Sequence, residues 1–153
     1  MSNNYEKQRL MPPTLLLIIL SAEVVFHFIL PLKIIIPPTY RYSGIILIIL
    51  GIVLNIWADN LLKIHQTTIR PDEKPLYLIS NGPFQFSRHP MYLGMFCILL
   101  GIAIILGSLI ALIFSVIFVF VTNQKFICKE EKNMLHEFGR KYYDYQRKTR
   151  KWI

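Results

Sequence analysis

Residues 91–126 read "MYLGMFCILLGIAIILGSLIALIFSVIFVFVTNQKF", two apolar runs with only Gly107-Ser108 between them. Neither run alternates polar and apolar residues, as the wall of a membrane barrel must, so both predict helices. A two-residue break leaves room for a tight turn. The segments at about 91–107 and 109–127 are therefore expected to form an antiparallel helical hairpin. Gly94 and Gly101 fall on the first of them, where small residues let backbones approach closely within a bundle.

Upstream, "TLLLIILSAEVVFHFILPLKIII" (14–36) is long enough to cross about 30 Å of hydrocarbon at roughly 1.5 Å per residue. A secretory signal has a shorter apolar core and a small-residue cleavage site, so this segment is expected to stay as a span. "SGIILIILGIVLNIWADNLLKI" (about 43–64) is another, with Trp57 suited to an interface near its far end. The sequence thus predicts an all-α, polytopic membrane bundle of four transmembrane helices, the last two as a hairpin, in one domain over 1–153. An amphipathic C-terminal helix at 129–150 completes it, with Leu135, Phe138, Tyr142 and Tyr145 along one edge and Arg/Lys opposite.

Composition agrees. The chain is 54% hydrophobic with a mean hydropathy of +0.44, too apolar for an ordinary soluble domain. Its net charge of +8 lies outside the apolar runs. It lies mostly in the tail, where the basic face opposite an apolar edge suits an anionic lipid surface, so no nucleic-acid partner is expected. Cys97 and Cys128 make neither a metal-ligand spacing nor a disulfide framework, and no metal is expected. With four crossings the N-terminus, the 65–90 connection and the tail share one side. Lys7, Arg9, Lys63, Arg70, Lys74 and Arg88 fall there, with nine more basic residues from Lys125 to Lys151. The opposite loop offers Lys33 and Arg41, so both termini are expected to be cytoplasmic.

The connection "TTIRPDEKPLYLISNGPFQFSRHP" (67–90) is too long for a simple turn and carries enough apolar residues to be ordered. Pro90 suits the first helical position and makes His89 the expected N-cap. Arg88 and His89 then lie at the positive end of a helix dipole. They suit a bound carboxylate or phosphate, or serve as interfacial anchors. Glu130-Glu131, just past the fourth run, gain nothing from lipid headgroups. They suit a cationic ligand, or pair with Lys129 or Lys132 at the surface. Glu23 and His27, one turn apart inside the first run, are either functional or a self-satisfying pair.

"GPFQFSRHPMYLG" (82–94), followed by "EEKNMLHEFGRKYYDYQRKTRKW" (130–152), resembles the signature of the isoprenylcysteine carboxyl methyltransferases and related phospholipid N-methyltransferases. "TTIRP" (67–71) after a Trp-bearing span is similar to bacterial-type members. The resemblance runs from about residue 44 to the end, departing where Arg150 replaces a proline usual in the tail. It implies S-adenosyl-L-methionine as cofactor and a lipophilic methyl acceptor in the membrane. The cofactor loop would be 66–90, with Leu78, Gly82, Pro83, Arg88, His89 and Tyr92 lining the pocket and Glu130 and Glu131 closing it. His89, Glu130 and Glu131 are the implied catalytic residues. Arg140 and Arg147 would orient an acidic acceptor. Two other classes compete: a small four-helix transporter coupled through Glu23, and an NADPH-dependent membrane reductase.

Overall fold

The computed structural model describes residues 11–30, 34–67 and 75–153. Lys7, Arg9, Lys33, Arg70 and Lys74, which enter the charge argument for orientation, lie outside the described residues. So does most of the "TTIRP" stretch.

Seven α-helices follow in order among the described residues: α1 (Pro12–Ile29), α2 (Pro38–Arg41), α3 (Ser43–Ile64), α4 (Pro90–Leu106), α5 (Leu109–Thr122), α6 (Cys128–Phe138) and α7 (Arg140–Lys148). A 3₁₀ turn at Gly82–Gln85 precedes α4, and a π-helical turn at Asn123–Ile127 joins α5 to α6. Three apolar helical stretches are long enough to cross a membrane: Pro12–Ile29, Pro38–Ile64 and Leu109–Phe138. The 17-residue α4 is a shorter apolar helix of about 25 Å. The protein is a multi-pass helical membrane protein.

The turn between α4 and α5 forms as its two residues predict. Gly107 takes φ +71°, a left-handed conformation that glycine adopts at little cost. Its amide donates to the Ala103 carbonyl at 2.8 Å. Ser108 then caps α5, its hydroxyl oxygen accepting from the Ala111 amide at 3.4 Å.

The most extensive helix contact joins α3 to α4. Glycines make it possible, because they meet in pairs across the crossing, Gly44 with Gly101 and Gly51 with Gly94. A Cβ at Gly51 would sit 2.5 Å from the Gly94 carbonyl oxygen, and one at Gly101 would sit 2.6 Å from that of Gly44. α1 packs chiefly on α5. Leu15 and Ile19 of α1, Tyr92, Met95 and Leu99 of α4, and Phe118 of α5 form the main buried cluster. The outward face of α3, including Ile46, Leu50 and Val53, stays exposed as a lipid-facing surface would.

Two expected boundaries change. The first span does not run to residue 36, because α1 ends at Ile29. Pro31 follows, and the residue before a proline is pushed out of the helical region. Leu30 accordingly sits at φ −118°, ψ 83°. Residues 34–36 are extended instead, Ile34 bridging to Ser108 and the Ile35 amide donating to the Gly107 carbonyl at 2.8 Å. The single C-terminal helix expected over 129–150 is two helices. Its first half continues α5 through the π-helical turn without a break. Gly139, at φ +50°, ends it and starts α7 in a new direction.

Candidate active site

His89 is the N-cap of α4, with Pro90 at the first helical position. Ser87 fixes this corner: its hydroxyl oxygen accepts from the His89 amide at 3.2 Å, and the hydroxyl donates to the Lys151 carbonyl at 3.2 Å. Tyr92, in the first turn, donates its hydroxyl to Glu130 Oε1. His89, Tyr92 and Glu130 are all buried.

The π-helical turn explains how two carboxylates reach this corner. A turn with one extra residue rotates everything after it by about 100° relative to a regular α-helix, and such turns recur at functional sites. Glu130 and Glu131 follow it by three and four residues and face the start of α4. His89 Nδ1 lies 3.4 Å from Glu130 Oε2, and Nε2 lies 3.6 Å from Glu131 Oε1. Arg88 reaches Glu131 Oε1 at 2.9 Å, and Lys151 Nζ reaches Glu131 Oε2 at 3.1 Å. Lys151 also donates to Asn123 Oδ1 at 3.4 Å.

Two carboxylates and three basic groups thus share one buried corner. Arg88 Nε, His89 Nε2 and Glu130 Oε2 are buried there without a hydrogen bond among the described residues. Polar atoms so placed are costly, which suits a site built to receive a charged molecule. Burial draws the His89 imidazole down, but the close polar contacts and negative charge of Glu130 and Glu131 outweigh it and hold the group above its ordinary 6.5. The imidazolium's contribution to stability is therefore complete below about pH 6.5 and is lost as pH rises through the higher folded-state value. Thermal denaturation followed from about pH 6 to 9 should show a midpoint that falls with pH through this group. The slope should flatten in His89→Gln. An unchanged slope would mean that His89 is not the titrating group.

Of the residues singled out in the sequence, Arg88, His89, Tyr92, Glu130 and Glu131 come together. Gly82 and Pro83 form the 3₁₀ turn beneath them, Gly82 at φ +58° against Trp57. Leu78 is half-buried beside the cavity, which its neighbours Tyr77 and Ile79 line. Arg140 and Arg147 are exposed on α7, and neither lines the cavity. α7 turns Tyr142 and Tyr145 inward instead, Tyr145 donating its hydroxyl to the Phe84 carbonyl at 2.6 Å. Their spacing of three reads equally well as a lipid-facing edge. Lys151 and Asn123 carried no local signal. Glu23 is fully buried in α1, and neither of its oxygens has a hydrogen bond among the described residues, so His27 does not satisfy it. Among the described residues no group of His, Cys, Asp and Glu is placed to hold a metal ion.

A helical membrane protein with a mixed-charge chamber at one end of its bundle is the class that fold and site define. Residues 40–141, more than half of the chain, match the family model described as phospholipid methyltransferase, and the chain belongs to that family. It is 38% identical over 63 residues to an uncharacterized protein of Haemophilus influenzae (strain ATCC 51907 / DSM 11121 / KW20 / Rd), covering 41% of this chain and all of that one. Its fold is similar to that of the eukaryotic intramembrane Ras methyltransferase ICMT (isoprenylcysteine carboxyl methyltransferase), with a TM-score of 0.61 at 24% identity. That match covers 96% of this chain and 53% of the other, so the chain spans about half the length of ICMT.

Proposed function

We propose that this protein is an integral membrane methyltransferase that takes its methyl group from S-adenosyl-L-methionine and gives it to a lipophilic acceptor. The observation that carries the reading is the convergence of Arg88, His89, Tyr92, Glu130 and Glu131 at the mouth of α4. The cofactor presents a carboxylate, an ammonium and a sulfonium, so its site needs both signs of charge, and this corner has both. Arg88, His89 and the α4 N-terminus would hold the carboxylate, and the two glutamates the ammonium or ribose hydroxyls. No glycine-rich strand-to-helix turn of dinucleotide-binding type is present in the sequence.

When bound, S-adenosyl-L-methionine supplies an electrophilic methyl group, and the chain's task is alignment and exclusion of water. Tyr92 holds one oxygen of Glu130 and leaves the other for a ligand or a proton. Arg88 and Lys151 hold Glu131 in place. A carboxylate or thiolate acceptor, of the prenylcysteine type or a small thiol, needs no base. A phospholipid amine must lose a proton. His89, whose acidic neighbours favour its protonated form, is poorly suited to take it, so we assign that role to Glu130 Oε2.

The exposed apolar face of α3 supports an acceptor drawn from the bilayer. Fifteen of seventeen basic residues on one side support a four-span topology with both termini and the site cytoplasmic. S-adenosylhomocysteine at a hundred times its dissociation constant should stabilise the purified protein by about 2.7 kcal/mol in a thermal unfolding assay. Radiolabelled methyl from the cofactor should enter membrane lipid or protein. Label released by base as methanol identifies an ester, and stable label an amine or thioether. The absence of both the thermal shift and methyl transfer would overturn this reading.

A further inference from the structure

The chamber is smaller than the ligand proposed for it. The cavity lined by Leu62, Phe84, Arg88, His89, Glu130 and Tyr145 has a volume of about 20 Å³. That holds one water, whereas ligand sites measure about 300–1,000 Å³. A wall must move to admit anything larger.

The C-terminal wall is built to do so. Gly139 joins α6 to α7 at φ +50°, ψ −121°, and among the described residues no atom beyond its chain neighbours lies within 4 Å of the place its Cβ would occupy. This is a joint in open space, in a backbone conformation that favours glycine. Beyond it, Tyr142 and Tyr145 of α7 are buried against the chamber, Trp152 packs on the main apolar cluster, and Lys151 also reaches Asn123. Named polar ties fasten the same segment to the chamber wall. The Tyr145 hydroxyl donates to the Phe84 carbonyl at 2.6 Å. The Arg88 amide donates to the Arg150 carbonyl at 3.0 Å, and Ser87 to that of Lys151 at 3.2 Å. Lys151 Nζ meets Glu131 at 3.1 Å while its side chain stays about one-third exposed. These ties end on the residues that wall the chamber or flank them.

We propose that residues 140–153 are a hinged lid that turns at Gly139 to admit the ligand, latched by Lys151 on Glu131 and by Tyr145 on the Phe84 carbonyl. The proposal rests on reading the chamber as a ligand site. Its charge logic is competition: a bound ammonium and the Lys151 ammonium seek the same Glu131 carboxylate, so ligand that enters while the lid is open keeps the latch from closing.

Hydrogen–deuterium exchange on the full-length protein in detergent reads the lid without any ligand. The Arg88 amide, bonded to the tail, should exchange at least tenfold faster in Lys151→Met than in wild type. Amides of the α4–α5 turn, such as Gly107, should not change. Tyr145→Phe, which removes only the second latch, should act in the same direction. In stopped-flow mixing with S-adenosylhomocysteine, the observed binding rate should level off with concentration at the rate of opening. That plateau should rise in both variants. Unchanged Arg88 exchange in both variants, or equal rates that climb linearly without a plateau, would overturn the lid. Faster Arg88 exchange in a protein that never binds S-adenosylhomocysteine would overturn the ligand reading and leave the hinged motion established.

Discussion

Glu130→Gln is expected to lower methyl transfer at least a hundredfold and to abolish the thermal shift with S-adenosylhomocysteine. Glutamine keeps the shape and still offers Tyr92 an acceptor oxygen, so the change isolates the charge. Glu130 is 4% exposed and faces His89 at 3.4 Å. Removing one partner of a buried pair costs on the order of 3–5 kcal/mol, because the other charge is left behind. If that cost falls on binding it equals about two to three and a half decades of affinity. A second substitution separates structure from function. His89→Gln added to Glu130→Gln removes the stranded charge and should restore much of the lost stability without restoring transfer. Transfer within about threefold of wild type in the single variant would take Glu130 out of the reaction.

The other large effect lies in the bundle. Gly101→Leu places a branched side chain where even a Cβ would meet the Gly44 carbonyl at 2.6 Å and Ile48 Cγ1 at 2.7 Å. Two of its obstacles, the Gly44 oxygen and the Ile48 amide, are backbone and cannot turn away as a side-chain end can. Overpacking a tight interface costs about 1–3 kcal/mol and more when backbone must part, so a loss of about 3 kcal/mol or more is expected here. Titration with a denaturing detergent, followed by helicity, measures it. Separation of α3 from α4 also carries away Leu62, which packs with Phe84 below the chamber, so ligand binding should fall with stability. A variant as stable as wild type would mean that the glycine pairs are incidental.

What the sequence made legible was local. Gly107-Ser108 announced a turn, Pro90 announced a helix start, and apolar runs announced their helices, because each rests on neighbours a few residues apart. The acidic and basic halves of the site were visible too, as motifs without a geometry. Their junction depended on the π-helical turn at Asn123–Ile127, whose one extra residue leaves no mark in an apolar pattern. The tail's return was invisible for a different reason. Ser87 meets Lys151 across 64 positions, and no periodicity reports such a contact. Arg140 and Arg147 were drawn in by their charge alone, whereas Tyr142 and Tyr145, on the opposite face of the same helix, line the cavity. The end of α1 was readable in principle, since Pro31 was present, yet a continuous apolar run outweighed one proline.

At the end of the bundle remote from the chamber, the Gly107 carbonyl accepts the amides of Ile35 and Ile36, while Arg41 lies across the same residue and donates to the Ile36 carbonyl at 3.2 Å. Two stretches of chain, residues 35–36 and Arg41, are therefore gathered at a single hairpin tip. A reporter sequence spliced in at 107–108 to map topology would undo those contacts along with the turn. Labels intended for that face belong instead on side chains already in the open, such as Tyr40 or Tyr42.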